Sequence, residues 1–225
     1  GSVAEVFTAP NLATITAANN AESSYAAVFD EELGTYLSNE FTNYFVALID
    51  ESPEITISDL YWTLKQKTAL SHVCYFGDES IQSVSLSTFI GTPNKIMRHN
   101  LDRKEFKAVT PHEATVKSLE FLSQHEKASI RSRARLQLLK YKALTEKLET
   151  VLEMLVQYVD PINYEKIMND TQAKITPTYF QVLKVFMQKF GEVNPDNYGK
   201  FNILKALAAT HTKAEIVQGI FAVLF

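Results

Sequence analysis

Two hundred and twenty-five residues suffice for one large domain or two of ordinary size, and either arrangement can bury a core. Apolar residues make up 46% and charged residues 21%, with only seven glycines and seven prolines, which excludes disordered, collagen-like and low-complexity classes. The single cysteine rules out an internal disulfide framework and a Cys-rich zinc site, and the longest apolar run, Ile220 to Phe225, falls far short of the ~20 residues of a membrane-spanning helix.

No cationic segment followed by an apolar stretch opens the chain. The net charge of −4 conceals an asymmetry. Residues 1–95 hold 12 acids against three bases, net −9, and residues 96–225 hold 14 acids against 19 bases, net +5. An acidic chain argues against a nucleic-acid partner, and the sign reversal calls for either mutual attraction of the two parts or separate partners for each.

In chain order, Leu12 to Ala18 (LATITAA) is β-branched with partial alternation and predicts a buried strand ending in the polar pair Asn19, Asn20. Asn39 to Leu48 places Phe41, Tyr44, Phe45 and Leu48 at helical spacing behind a possible Asn39 cap. Ser58 to Lys67 repeats the pattern with Leu60, Tyr61 and Leu64. Ser71 to Phe76, closed by the turn dipeptide Gly77-Asp78, predicts a second strand, giving a local order of strand, helix, helix, strand.

The breaker Gly91-Thr92-Pro93-Asn94-Lys95 sets a boundary: residues 1–95 form an α/β domain, residues 96–110 a linker, and residues 111–225 an all-α bundle of five or six helices. In the bundle an uninterrupted helical pattern runs from about Ser129 to Val159, with Leu138, Tyr141, Thr145, Leu148, Leu152, Leu155 and Val159 three and four apart. Shorter amphipathic segments follow at 162–168, 177–190, 198–208 and 214–224.

The chemical candidates are sparse. Cys74 and His72 invite a nucleophile-and-base reading, but nothing in the sequence supplies an orienting third group, and free cysteine generally prefers burial. The five histidines show no metal-ligand spacing, so no metal and no cofactor is expected. Asp30, Glu31 and Glu32 read as a solvated turn. Arg131, Arg133, Arg135, Lys140, Lys142 and Lys147 make the long helix basic, either as a wet face or as a surface for the acidic first half. The sequon Asn169-Asp170-Thr171 stands alone and says little about glycosylation.

Two blocks carry a resemblance. Thr16-Ala17-Ala18-Asn19-Asn20-Ala21-Glu22-Ser23-Ser24-Tyr25-Ala26, followed by Phe29-Asp30-Glu31 and Thr35-Tyr36-Leu37, and then Ser71-His72-Val73, Tyr75-Phe76-Gly77 and Phe89-Ile90-Gly91, resemble the substrate-pocket region and last core strand of the legumain family, the asparaginyl endopeptidases among caspase-like cysteine proteases. The resemblance covers about residues 11–91, and the second half agrees with the family's prodomain only in length and helix content. It implies a partial caspase-like α/β sandwich followed by a C-terminal helical-bundle prodomain, and an acyl-enzyme mechanism by thiolate attack after asparagine. In that family the catalytic cysteine precedes a Ser-Gly-Ser type turn. Gly1-Ser2 reads either as the remnant of that turn or as an appended Gly-Ser pair, and in the first case no catalytic residue lies in this chain.

The resemblance further implies that Ser23, Ser24, Tyr25, Tyr36 and Asn39 bind substrate, with Asn39 standing where the family has an aspartate. A neutral asparagine side chain offers donors and acceptors together, so its pocket must supply both, and an unpaired buried group costs ~1–3 kcal/mol. Asn100 and Asn94 in the linker are the implied autoprocessing sites. The implied partners are a peptide or protein substrate and an N-terminal catalytic segment or chain that completes the sheet, because two strands alone leave bare edges. A lysosomal, vacuolar or secreted location and acid release of the prodomain are implied in the same way. A GPI-transamidase relative and a non-catalytic interaction protein with a decayed pocket are the competing readings.

Overall fold

The computed structural model describes residue 4 and residues 7–91 and 108–225. The chain is mixed α/β in its first part and all-α in its second, and it divides into two compact units, residues 1–121 and 122–225.

In the first unit, β1 (Ala13–Thr16) pairs antiparallel with β4 (Cys74–Gly77), Ile15 facing Tyr75 and Thr16 facing Cys74. Gly77 ends this ladder at φ 101, and a Cβ there would stand 2.1 Å from the Leu12 carbonyl oxygen, so the close approach needs glycine. A second antiparallel pair, β2 (Ala26–Asp30) and β3 (Thr35–Asn39), forms a hairpin with Ala26 opposite Asn39 and Phe29 opposite Tyr36. The local order is therefore strand, hairpin, helix, helix, strand rather than the hairpin-free order the periodicity suggested. The run Asp30-Glu31-Glu32-Leu33-Gly34 is the turn: Asp30 Oδ1 accepts from the Glu32 and Leu33 amides at 2.9 and 2.7 Å, and Gly34 takes the positive φ that closes it.

Helices α1 (Glu40–Glu51) and α2 (Ile57–Lys67) pack their apolar faces together, capped by Asn39 and Thr56. Leu48, Ile57, Leu60, Leu64, Val73 and Leu86 form the core of this unit, with Phe41, Tyr44 and Phe45 packed against it. Burial of such side chains contributes ~1.5–3 kcal/mol each. Glu40 is buried too, its Oε2 accepting from the Ala69 and Leu70 amides at 3.1 and 3.3 Å. On the outer side of α2 the chain's one tryptophan, Trp62, is 53% exposed between the Tyr61 ring and the Lys65 ammonium. Two short helical turns, a 3₁₀ turn at Glu79–Ser83 and α3 (Ser87–Ile90), follow β4. After the undescribed stretch, α4 (Pro111–Leu122) lies with the first unit up to Phe121, although the sequence pattern grouped it with the bundle. Its attachment to the hairpin explains this.

The second unit is built on α5 (Ala128–Val159), 32 residues whose buried stripe includes Tyr141, Leu148, Leu152 and Leu155. The stripe packs against α6 (Tyr164–Met168), α7 (Pro177–Phe190), α8 (Asn202–Thr210) and α9 (Lys213–Leu224) around Val182, Phe186, Leu204, Leu207, Ile216 and Ile220. A 3₁₀ turn at Pro195–Phe201 leads into α8. Thr176 caps α7 with Pro177 in its first turn, and Thr212 with Glu215 forms a capping box on α9. Where α9 passes α5, Gly219 leaves no room: a Cβ would lie 2.7 Å from Val159 Cγ2 and 2.8 Å from Leu155 Cδ1. Among the described residues no helix is long and apolar enough to cross a membrane.

Candidate functional site

The hairpin and α4 flank an open pocket of roughly 530 Å³ in the first unit. One wall comes from the hairpin and its approach: Ser24, Ala26, Thr35, Tyr36, Ser38 and Asn39. The opposite wall is one face of α4, with Pro111, Ala114, Thr115, Ser118 and Leu119. Six hydroxyl side chains and one amide stand in a lining whose surface is otherwise mainly apolar, and no carboxylate or cation is part of it. Such a surface can both donate to and accept from a neutral polar side chain.

Three sequence-derived residues, Ser24, Tyr36 and Asn39, come together here. Ser23 is exposed and Tyr25 is half-buried, and neither lines the cavity. Alternation explains the difference. Ser24 and Ala26 share one face of the extended chain, so Ser23 and Tyr25 point elsewhere. On β3 the neighbours Thr35 and Tyr36, and Ser38 and Asn39, all line the pocket, and Thr35 and Ser38 carry no signal outside the hairpin that positions them. The signal available was Gly34 flanked by Phe29 and Tyr36.

Asn39 has two tasks. Its Oδ1 accepts from the Thr42 amide at 2.7 Å, which caps α1, while the side chain also faces the cavity. Tyr36 packs edge-on against Phe29 with ring centroids 5.0 Å apart, and its hydroxyl is buried without a hydrogen-bond partner among the described residues.

Segment 109–121 is held on this wall by three kinds of contact. Val109 and Ala26 exchange backbone hydrogen bonds of 2.8 and 2.9 Å, extending the hairpin by one isolated bridge. Lys117 Nζ sits 4.3 Å from the Phe29 ring centroid and 5.3 Å from that of Tyr36, and Phe121 packs edge-on against Phe29 at 5.7 Å. Thr110 and Glu113 cap the start of α4 reciprocally, and the hydrogen bonds from Thr110 hold the Glu113 carboxyl below its usual range. Even so, α4 has no fully buried residue, so it covers the wall without being part of the core.

His72 and Cys74 do not form a catalytic pair. Cys74 is half-buried rather than a core thiol, and its Sγ donates to the His72 carbonyl at 3.3 Å. The His72 imidazole turns to Glu22, Nδ1 to Oε2 at 2.7 Å. Burial raises the Glu22 pKa, but hydrogen bonds from the Asn19 amide and from His72 outweigh it and leave the carboxyl below its usual range. Asn94 and Asn100 lie outside the described residues, as do Gly1 and Ser2. No group of His, Cys, Asp and Glu side chains able to hold a metal occurs among the described residues. Several bases of α5 are engaged within their own unit: Arg131 donates to the His125 and Glu126 carbonyls, Lys140 pairs with Glu192 at 2.8 Å, and Lys147 covers the Phe190 ring.

Residues 1–92 match the Peptidase C13 family model, a segment that contains the hairpin wall and the Glu22 loop. This segment is similar to legumain. It is 33% identical over 87 residues to legumain of Mus musculus, covering 38% of this chain and 20% of that protein. Legumain of Homo sapiens is 31% identical over 87 residues, and that of Bos taurus 32% over 83 residues, with coverage of 20% and 19% of those proteins. The legumain-like chain thus spans about a fifth of the length of the curated relatives it matches, and the match lies on the hairpin-and-helix unit, ahead of α4.

Proposed function

We propose that this chain supplies the substrate-side-chain pocket and an inhibitory prodomain of a legumain-like cysteine endopeptidase that cleaves after asparagine. The reading rests on one observation: Ser24, Tyr36 and Asn39 line one pocket that holds no charged side chain, with α4 packed against them as its other wall. Such a lining suits a side-chain amide, which needs an acceptor for its NH₂ and a donor for its oxygen. A thiolate from sequence N-terminal to this segment attacks the carbonyl after the bound asparagine. The C–N bond breaks, the amine leaves with a proton, and water then hydrolyses the acyl-enzyme. That N-terminal sequence also completes the β1–β4 sheet as its partner. Residues 111–225 act as the prodomain, α4 being the part packed on the pocket wall, and acid releases it after cleavage at Asn100 in the 96–110 linker or at Asn94 just before it. A lysosomal, vacuolar or secreted location accords with acid release.

The test is hydrolysis of paired peptide reporters, one with asparagine and one with aspartate before the scissile bond, by the full-length protein before and after incubation at acid pH. Asparagine-selective hydrolysis that rises on acidification, with new termini mapping next to Asn100 or Asn94, is the expected result. Absence of hydrolysis under both conditions overturns the peptidase reading. Acid-independent activity overturns the prodomain reading alone.

A further inference from the structure

The loop between β1 and β2, residues 17–25, delivers Ser24 to the cavity wall, yet it belongs to no sheet or helix. Its own Glu22 side chain makes three of the bonds that fix it. Glu22 Oε1 accepts from the Asn19 amide at 2.9 Å and from the His72 amide at 2.7 Å, and Oε2 meets His72 Nδ1 at 2.7 Å. The first bond closes the loop on itself, assisted by the Ala21 amide on Asn19 Oδ1 at 2.8 Å. The others tie it to the strand entering β4, and Ser71 Oγ, donating to the Ala17 carbonyl at 2.6 Å, adds a second tie beside them. The Glu22 side chain is 19% exposed and its imidazole partner 78%, and of the three bonds the one from the Asn19 amide is the best shielded.

We propose that Glu22 is a positioning residue: its carboxylate, gripping the Asn19 and His72 amides, holds the loop so that Ser24 faces the cavity. The proposal rests on the reading that this cavity takes a substrate side chain. The only ionisable group facing Glu22 among the described residues is the His72 imidazole. Chemistry separates the roles of the two oxygens. A glutamine retains an oxygen for the two amides, and its NH₂ can face a neutral imidazole whose Nδ1 accepts. Once the imidazole is protonated, both its nitrogens donate, and the glutamine NH₂ then opposes an N–H. A carboxylate accepts in either case.

The experiment compares Glu22→Ala, Glu22→Gln and His72→Ala with the parent by two readouts. The first is amide hydrogen exchange of the intact chain at about pH 8 and about pH 5, on either side of the ordinary histidine range. Glu22→Ala should lose protection at Asn19 and His72 and carry the loss to Ala21 and Ala26, whose amides are bonded in the parent, with Leu60 and Leu64 unchanged. Glu22→Gln should restore protection at the higher pH and lose it at the lower, and His72→Ala should stay close to the parent. The second readout is hydrolysis of the asparagine reporter by the acid-treated full-length protein, where Glu22→Ala should raise KM roughly tenfold with kcat within about twofold, since a displaced pocket wall weakens binding rather than bond breaking. Unchanged protection at Ala21 and Ala26 in Glu22→Ala overturns the proposal, whatever the enzyme does. So does loosening of the loop with KM unmoved. Should the parent hydrolyse nothing, the peptidase reading falls with the pocket role, while the exchange data still decide whether Glu22 holds the loop.

Discussion

Asn39 Oδ1 lies 2.7 Å from the Thr42 amide nitrogen, and the same side chain borders the cavity beneath α4. Capping a helix and lining a pocket are usually given to different residues. Here one amide does both, and substitutions at this position separate the two. Asn39→Ala should cost about 1 kcal/mol of unfolding free energy through the lost cap, whereas Asn39→Asp, an equally good cap, should stay within about 0.5 kcal/mol of the parent. Urea unfolding of the two variants checks this. A loss in Asn39→Asp as large as in Asn39→Ala would show that the cavity, not the cap, sets the cost.

Val109→Pro removes the N–H that bonds the Ala26 carbonyl while leaving the core of the unit untouched. Because α4 holds no fully buried residue, exchange along Pro111–Leu122 should accelerate severalfold, with α1 and α2 unaffected. Accelerated exchange in Leu60 and Leu64 would mean that α4 is integral to the fold rather than a cover.

Much of the architecture was legible because its signals are local. The α5 stripe, the Asn39 helix start and the β1 and β4 runs are visible as period, cap and β-branching. The β2–β3 hairpin was not: Ala26-Ala27-Val28-Phe29 carries no clean alternation, and Val28 even adopts a positive φ of 61, which no propensity scale anticipates for a β-branched residue. The allocation of α4 was hidden for another reason. Its amphipathicity tells that one face is covered, but the covering partner, the Phe29–Tyr36 pair, lies some eighty residues away. Of the site, Ser24, Tyr36 and Asn39 were reachable through resemblance, while the Glu22 grip on His72 depends on a loop meeting a strand fifty residues later and leaves no trace in periodicity.

In the second unit, Asp160 ends α5 and accepts two bonds from the Asn163 side chain, with His211 Nε2 3.4 Å away. The Asn163 bonds chiefly, and the nearby imidazole, hold its carboxyl below its usual range. A lowered folded-state pKa means that the stabilisation is complete above the unfolded value of 3.8 and disappears as pH falls through the folded one. Asp160→Asn should therefore be less stable than the parent at neutral pH, and the difference in melting temperature should shrink below about pH 4. A constant difference down to pH 2.5 would assign the effect to geometry instead of charge.

Gly219→Ala places a methyl group against Val159 and Leu155, and overpacking of this kind costs about 1–3 kcal/mol. Leu155→Ala on the facing helix opens a hole worth about 2–5 kcal/mol. Combined, the added methyl occupies part of the vacated volume, so the double variant should be more stable than the sum of the single losses predicts. Strict additivity in chemical denaturation would show that α5 and α9 separate rather than repack.

The placement of Trp62 gives the molecule a labelled half. Its indole touches Tyr61 and Lys65 on α2, in the first unit, and no second indole exists to blur its emission. Far-ultraviolet dichroism, by contrast, is weighted toward the long helices of the second unit. Following both signals through one denaturation curve will reveal whether the two units melt as a single cooperative body or one after the other.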